Sequence, residues 1–225
     1  MGAVVVSGMK ASLMSSPANV QVIEHPLLQH KLSHLRDEKT SSSLFRQLLT
    51  EMSLLMGYEV TRNLPLQEKP LKTPLESMVS PFLAREVVIV PILRAGLGMV
   101  EGFLELLPLA KTGHIGLYRD DRDKPVEYFV RLPGAKDSLF LLLDPMLATG
   151  YSAAHAVQVL LNHGVPRANI HLVCVVASPE GVANFNETCA NIPIFTASLD
   201  RCLDSKNYIL PGLGDAGDRL FGTSC

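Results

Sequence analysis

The stretch LFLLLDPMLATGYSA, residues 139–153, decides the fold class of this chain. Its first five residues, Leu139–Leu143, are apolar without alternation, which is typical of a strand covered on both faces in a parallel sheet between helices. The following stretch, AAHAVQVLLNHG at 153–164, repeats apolar residues at helical spacing and ends on a glycine. The small and polar residues 144–152 therefore join a buried strand to a helix.

An alternation of strands and helices continues on both sides of this stretch. We predict strands at VVIVPI (87–92), HIGLY (114–118), LFLLL (139–143), HLVCVVA (171–177) and IFTA (194–197), with helical patterns between most of them. Before them, apolar spacing predicts two amphipathic helices ahead of residue 57, separated and capped by TSSS at 40–43, and then a loop or short hairpin in the proline-rich segment 64–80. The pattern predicts an α/β fold, with a mostly parallel sheet flanked by helices.

Polar and glycine-rich residues follow three of these strands directly. LRAGLG occupies 93–98, RDDRDK occupies 119–124, and DPMLATGYS occupies 144–152. Ligands of parallel sheets bind outside the carboxyl ends of the strands, and the free N–H groups of a helix start attract an anion. The 144–152 stretch thus predicts a phosphate site, with an ordinary strand-to-helix turn as the alternative. Arg94 is placed for a bidentate phosphate contact or, alternatively, for a buried structural ion pair.

Three other motifs are rejected by their context. The 144–152 stretch lacks the lysine that a Walker A loop needs, which argues against nucleoside triphosphate hydrolysis. GLGDAG at 212–217 matches a dinucleotide-binding fingerprint, but Pro211 precedes it and the chain ends eight residues after it. His30 and His34 have the spacing of zinc ligands without the glutamate of a metalloprotease helix, and we assign them no role.

Composition bounds the partners and the compartment. The chain has 225 residues and a formal net charge of −2, so we expect neither nucleic acid nor membrane as a partner. Its four cysteines are far apart, and no signal peptide pattern opens the chain, which together predict a cytoplasmic protein. We predict a poorly ordered N-terminal tail over residues 1–23 and one domain over residues 24–225.

Four segments resemble the uracil phosphoribosyltransferases in order and spacing. They are PILRAGLGM at 91–99, YR at 118–119, DPMLATGYS at 144–152 and YILPGLGDAGDRLFGT at 208–223. The resemblance covers residue 24 to the end. It implies a type I phosphoribosyltransferase fold with a small C-terminal hood over the base. The implied reaction joins uracil to 5-phosphoribosyl-1-pyrophosphate (PRPP) and gives UMP and pyrophosphate, with Mg²⁺ as cofactor.

The resemblance also implies a role for individual residues. The catalytic candidates are Asp215, beside the ribose and the uracil N1 proton, and Arg94, on the pyrophosphate. Uracil would be recognised by Ile209, Gly214, Asp215 and Ala216. PRPP would contact Arg94, Arg119, Asp144, Pro145, Met146, Leu147, Ala148, Thr149, Gly150, Tyr151, Ser152 and Asp215. No protein metal site is predicted, because Asp144 stands alone between Leu143 and Pro145, and Mg²⁺ would be carried mainly by the pyrophosphate of PRPP.

The chain departs from the family pattern at two places. Tyr151 stands where the family usually has a second glycine, and the loop after Arg119 is one residue shorter and lacks its usual threonine. Tyr151 either needs a positive φ or is the first residue of the helix with its ring pointing away from the phosphate, and we favour the helical position. Residues 119–137 are predicted to be a lid that excludes water from PRPP.

The resemblance leaves a second function and the assembly to be decided. The alternative to an active enzyme is a catalytically weak protein on the same fold that senses PRPP or nucleotide. The apolar helices over 27–56, together with family analogy, predict a homodimer or larger homo-oligomer. GTP controls some relatives, and the sequence leaves GTP binding by this chain open.

Overall fold

A computed structural model describes residues 17–119, 125–134 and 137–223, without the side chains of Arg119 and Pro125. The strands are β1 (Val20–Val22), β2 (Leu66–Lys72), β3 (Ser77–Leu83), β4 (Val87–Leu93), β5 (Lys111–Thr112), β6 (His114–Arg119), β7 (Pro125–Arg131), β8 (Leu139–Leu143), β9 (Met146–Leu147), β10 (Ile170–Ala177), β11 (Ile194–Leu199), β12 (Cys202–Leu203) and β13 (Ile209–Leu210). The α-helices are α1 (Pro26–Arg36), α2 (Ser42–Val60), α3 (Leu97–Leu106), α4 (Tyr151–Asn162), α5 (Pro179–Cys189) and α6 (Ala216–Phe221).

In the described part of the chain, nine strands form the central sheet, in the order β1-β11-β10-β8-β4-β6-β7, with β5 beside β4 and β9 beside β10. The β6–β7 pair is antiparallel and the other described pairs of this sheet are parallel. All five predicted strands are present, and the mostly parallel sheet is confirmed.

Two hydrophobic clusters cover the two faces of the sheet. Along β8, Leu141 and Leu143 face a cluster built with α1, α2, α3 and α6, whereas Phe140 and Leu142 face a second cluster built with α4 and α5. All five residues of β8 are buried because each face of the strand meets a helix layer. This burial on both faces explains the unbroken apolar run in the sequence.

The N-terminal part follows the predicted pattern closely. Ser41 caps α2, and its side-chain oxygen accepts a hydrogen bond from the Leu44 N–H at 3.3 Å. The segment predicted as a loop or short hairpin is the antiparallel hairpin β2–β3, which extends to residue 83. No helix in the part of the chain that the structure describes is long and apolar enough to cross a membrane.

Two predicted irregular segments contain strands. Val20–Val22, inside the predicted tail 1–23, pairs in parallel with β11, while residues 1–16 lie outside the described residues. Within the predicted lid 119–137, Pro125–Arg131 forms the edge strand β7 beside β6. The loop between these two strands, 120–124, also lies outside the described residues. Both are edge strands with partly exposed residues, so neither carries the apolar run of a central strand.

Candidate functional site

A cavity of about 350 Å³ lies where β4 and β8 end and where α4 begins. A smaller cavity of about 190 Å³, next to Leu117 and Tyr118 of β6, shares Arg94 and Asp144 with it. The site therefore lies at the carboxyl ends of the strands, as the sequence predicts. The larger cavity is lined by Leu93, Arg94, Ala95, Asp144, Met146, Leu147, Ala148, Thr149, Gly150, Ser152, Ala153, Asp215 and Gly217.

Carbonyl groups of the loop after β8 are held by α5 and its N-cap. Ala148 O accepts a hydrogen bond from Ser178 Oγ at 2.6 Å, and Thr149 O accepts one from Asn184 Nδ2 at 3.1 Å. In a trans peptide the next N–H points away from the carbonyl, so the Thr149 and Gly150 N–H groups point away from α5. The loop thereby presents N–H donors that the first turn of α4 extends, which is the arrangement that binds an anion.

Gly150 makes this loop shape accessible. Its φ is 81°, in the left-handed region, and a Cβ there would stand 2.4 Å from the carbonyl oxygen of Gly181. Gly181 is equally constrained, because its own Cβ would stand 2.2 Å from the oxygen of Ala148. Two glycines thus let the loop lie directly on α5.

Thr149 lines the cavity and has an unsatisfied polar atom. The residue is buried, and its Oγ1 has no hydrogen-bond partner among the described residues. A buried hydroxyl without a partner costs about 1–3 kcal/mol, which an oxygen of a bound anion would recover. The loop therefore lacks one hydrogen bond that a phosphate can supply.

Tyr151 is the first residue of α4, and its side chain is exposed. The residue with positive φ is the preceding Gly150, which is the N-cap. The favoured alternative, a helical Tyr151, is therefore the one observed. Neither Tyr151 nor Pro145 is among the residues that line the cavity.

Arg94 follows β4 and reaches towards the C-terminal helix. Its side chain is 62% exposed, with a guanidinium nitrogen 4.0 Å from Asp218 Oδ1 and its Cζ 5.8 Å from the centre of the Phe221 ring. The alternative of a buried structural ion pair is wrong, because the end of β4 opens into the cavity and leaves Arg94 solvated. An exposed guanidinium on the wall of a polar cavity remains able to bind an anion.

Asp215 lines the same cavity as the loop 144–152. It is the N-cap of α6, and its Oδ1 accepts a hydrogen bond from the Asp218 N–H at 2.9 Å. Gly214, just before it, has a φ of 76°. The other predicted uracil residues, Ile209, Gly214 and Ala216, belong to the same segment without lining the cavity.

Asp144 and Arg119 complete the predicted set. Asp144 lines both cavities, and its Oδ1 accepts a hydrogen bond from the Met146 N–H at 3.4 Å. Arg119 ends β6, the strand next to β4, and its side chain lies outside the described residues. The structure thus brings the ends of β4 and β8, the loop 144–152 and Asp215 together.

Asp200 and Arg36 are not among the residues predicted from the sequence. Asp200 follows β11 directly, and its carboxylate binds the Arg36 guanidinium and the Gly212 N–H. Burial raises the pKa of Asp200, but the hydrogen bonds from Arg36 and Ser198, the charge of Arg36 and the Gly212 N–H together hold that pKa below its ordinary value. The rule that polar residues after strands mark a site, applied to β11, would have found Asp200.

Comparison with known proteins gives one consistent family. Residues 22–223 match the family model described as uracil phosphoribosyltransferase. A uracil phosphoribosyltransferase of Ralstonia pickettii is 56% identical over 206 residues, covering 91% of this chain and 95% of the relative, and that of Burkholderia multivorans has the same identity and coverage. Among solved structures, the AQ2163 protein from Aquifex aeolicus is 37% identical, with a TM-score of 0.86 and coverage of 91% of this chain and 99% of that one.

Proposed function

This chain belongs to the uracil phosphoribosyltransferase family, and from that premise we propose how its residues hold PRPP and uracil. It is an enzyme of pyrimidine salvage with the type I phosphoribosyltransferase fold, which confirms the predicted fold and activity. The transfer joins uracil N1 to the ribose and releases pyrophosphate. The alternative of a sensing protein without turnover has no support among these relatives.

We propose that residues 144–152 bind the ribose 5-phosphate and the ribose hydroxyls of PRPP. The unpartnered Oγ1 of the buried Thr149 carries this proposal, since Thr149 lines the cavity beside outward-pointing N–H groups. The Asp144 carboxylate would accept hydrogen bonds from the ribose hydroxyls. Ser152, in the first turn of α4, would add a hydroxyl donor to the phosphate.

The pyrophosphate is assigned to two arginines. Arg94 on the cavity wall, and Arg119 at the end of the neighbouring strand, would neutralise the negative charge that grows as pyrophosphate leaves. Asp215 would lie beside the ribose, where a carboxylate favours loss of the uracil N1 proton. Most of the rate acceleration would then come from positioning and charge stabilisation, with no covalent intermediate.

We propose that Mg²⁺ enters this site bound to the pyrophosphate of PRPP. Among the described residues, no three His, Cys, Asp or Glu side chains cluster as metal ligands do. Bound to the pyrophosphate, Mg²⁺ would neutralise leaving-group charge, and Asp144 and Asp215 are the acids that line the cavity near it. The chain itself would contribute Arg94 and the N–H donors of the loop.

Uracil is assigned to the segment 209–216. Gly214 is exposed, lies directly before Asp215 and has a left-handed φ of 76°, so its peptide groups are turned in a way that other residues rarely allow. With Ile209 and Ala216 it would read the donor and acceptor pattern of the base through backbone groups.

Gly214→Ala tests this assignment. A Cβ at Gly214 would meet only Arg219 Cδ, at 3.4 Å, so the change acts on the backbone angle and not through a clash. Forcing an L side chain into the left-handed region costs about 1–2 kcal/mol, and we expect the KM for uracil to rise about tenfold with the KM for PRPP within twofold. Steady-state kinetics with each substrate varied will measure both. An unchanged uracil KM would move the base site elsewhere.

Residues 119–137 would cover the reacting ribose. Their described strand β7 lies beside α4, where Glu127 Oε2 is 3.9 Å from His155 Nε2. This neighbourhood supports a cover over the phosphate end of the cavity that limits hydrolysis of PRPP. We further propose that residues 24–225 belong to a single domain, whose sheet also includes β1, and that the enzyme is cytoplasmic. Among the described residues, the free thiols of Cys174, Cys189 and Cys202 are in keeping with a reducing compartment.

The hairpin β2–β3 supports the proposed homo-oligomer. All of its strand residues except Leu71 and Ser80 are exposed, although several are large and apolar. An isolated two-stranded hairpin is marginally stable in water, so a covering surface is expected. A cavity of about 530 Å³ at its base, lined by Phe82, Leu83 and the end of α3, could receive side chains from a second copy of this chain.

Sedimentation velocity will test the assembly. We expect a species of at least twice the 24.5 kDa chain mass at micromolar concentration, and Phe82→Glu should shift it towards the monomer because a buried charge without a partner is costly. A monomer of the unchanged protein at tens of micromolar, on the scale of weak association, would contradict the proposal.

A further inference from the structure

The segment proposed to read uracil has little regular structure of its own. Between β13 and α6, residues 211–215 form no hydrogen-bonded strand or helix, and Gly212 and Gly214 both have left-handed φ angles. A loop that reads a base through its backbone must nevertheless hold its peptide groups within a fraction of an ångström. The conformation of this segment therefore depends on contacts from outside it.

The main external contact comes from Asp200. Only 7% of this residue is exposed, and its carboxylate accepts four hydrogen bonds. Two come from the Arg36 guanidinium, at 2.6 and 2.7 Å, in a bidentate pair. The others come from Ser198 Oγ at 2.7 Å and from the Gly212 N–H at 2.9 Å. Asp200 thus joins the end of β11, the end of α1 and the uracil segment.

Arg36 closes the contact from the other side of Gly212. Its Nη1 donates both to Asp200 Oδ2 and to the Gly212 carbonyl at 2.6 Å. Both backbone polar groups of Gly212 are therefore held by one ion pair. A Cβ at Gly212 would stand 2.0 Å from Ile209 O, so the fixed glycine also fixes the approach of the chain to Ile209.

A second arginine holds the same segment in a different way. Arg219 donates to the carbonyl oxygens of Leu213 and Leu35, at 2.8 and 2.6 Å, and its guanidinium lies over the Phe45 ring at 4.5 Å. Both acceptors are neutral backbone carbonyl groups. These bonds therefore attach the segment 211–215 to the end of α1 without a charged side-chain partner. The charged and geometrically specific contact is the one between Arg36 and Asp200.

We propose that the Arg36–Asp200 pair is the positioning device for uracil, holding Gly212 so that the backbone groups of Ile209 and Gly214 stand in register with the base. The inference rests on the proposed assignment of uracil to residues 209–216. Neither residue touches substrate, and both act through Gly212. The pair controls the recognition of uracil and does not affect the conformation of the loop 144–152, which binds PRPP.

The test is Asp200→Asn, which keeps the side-chain shape and removes the charge that Arg36 pairs with. We expect the KM for uracil to rise about ten- to a hundredfold, the loss expected for a hydrogen bond to a charged group, with the Kd for PRPP within twofold. Arg36→Lys should show the same split, because an ammonium cannot hold both carboxylate oxygens and the Gly212 carbonyl. Ser198→Ala removes one hydroxyl from Asp200 and should raise the uracil KM by about two- to fivefold.

Glu59→Gln is the matched control. Glu59 also pairs bidentately with an arginine, Arg62, but that pair is on the surface at the end of α2, and the change should leave both substrate constants within twofold. The proposal is overturned if Asp200→Asn raises the uracil and PRPP constants by the same factor, or if it leaves uracil within twofold. If Ser198→Ala is the variant that folds, an unchanged uracil KM overturns it equally. A raised uracil KM in Gly214→Ala with none in Asp200→Asn would remove the positioning role alone, whereas no rise in either would remove the uracil assignment itself.

Discussion

Replacing Arg94 with lysine is expected to raise the KM for PRPP by about ten- to a hundredfold while the KM for uracil stays within about twofold. Arg94 stands on the cavity wall with most of its side chain exposed, and its guanidinium lies 4.0 Å from Asp218 and 5.8 Å from the centre of the Phe221 ring. A planar guanidinium binds two pyrophosphate oxygens at once, which an ammonium cannot reproduce. Steady-state kinetics with PRPP varied will measure the loss.

Arg85→Lys provides the matched control. Arg85 is an exposed arginine that precedes β4, whereas Arg94 follows β4. The Arg85 Nη1 donates to Asn169 Oδ1 at 3.1 Å, at the opposite end of the sheet from Arg94. We expect this change to leave the PRPP constant as it is, within the scatter of surface substitutions. If Arg94→Lys changed PRPP use by less than about twofold, Arg94 would have no contact with the pyrophosphate.

Gly150→Ala is expected to disable the phosphate loop. Its φ of 81° costs an alanine about 1–2 kcal/mol, and the new Cβ would stand 2.4 Å from the backbone oxygen of Gly181, which no side-chain rotation relieves. The loop must move away from α5, so its N–H groups turn out of line with the phosphate. We expect PRPP affinity to fall at least tenfold, measured by isothermal titration, together with a lower Tm.

Gly222→Ala separates this effect from the general effect of a left-handed alanine. Gly222, the C-cap of α6, has a φ of 68°, but its Cβ would meet only Ser42 Oγ among the described residues within 4 Å, at 3.7 Å. This variant should lower the Tm through the same backbone strain and keep PRPP affinity within twofold, because Gly222 does not line the cavity. PRPP binding by Gly150→Ala at the affinity of the unchanged protein would show that the loop N–H groups do not carry the phosphate.

The central strands could be predicted from the sequence because their burial leaves a direct mark. β8 and β10 meet helices on both faces, so they read as continuous apolar runs. β7 has no such continuous apolar run. Its residues, PVEYFVR, mix charged and apolar side chains because the strand is an edge of the sheet and its burial is partial.

The position of the site could be predicted from the sequence, but the exposure and the contacts of its residues could not. The rule that polar residues follow strands placed Asp144 and Arg94 together, but it could not tell that Arg94 would be exposed, since that depends on how far α6 covers the end of β4. Tyr151 could be assigned to the helix because Ser152 and the alanine-rich turn after it are typical of a helix start, and the structure has Tyr151 as the first residue of α4. The link from Asp200 to Gly212 joins residues 12 apart in the chain, and no local pattern reveals it.

Turnover is the most direct test of the uracil phosphoribosyltransferase activity. Incubation of the purified protein with PRPP, Mg²⁺ and labelled uracil should yield UMP and pyrophosphate in equal amounts. Cytosine, hypoxanthine and orotate should be poorer substrates in competition, because a backbone-lined pocket at 209–216 fixes the order of donors and acceptors on the base. Binding of PRPP without formation of UMP, or faster use of any of the other three bases, would contradict it.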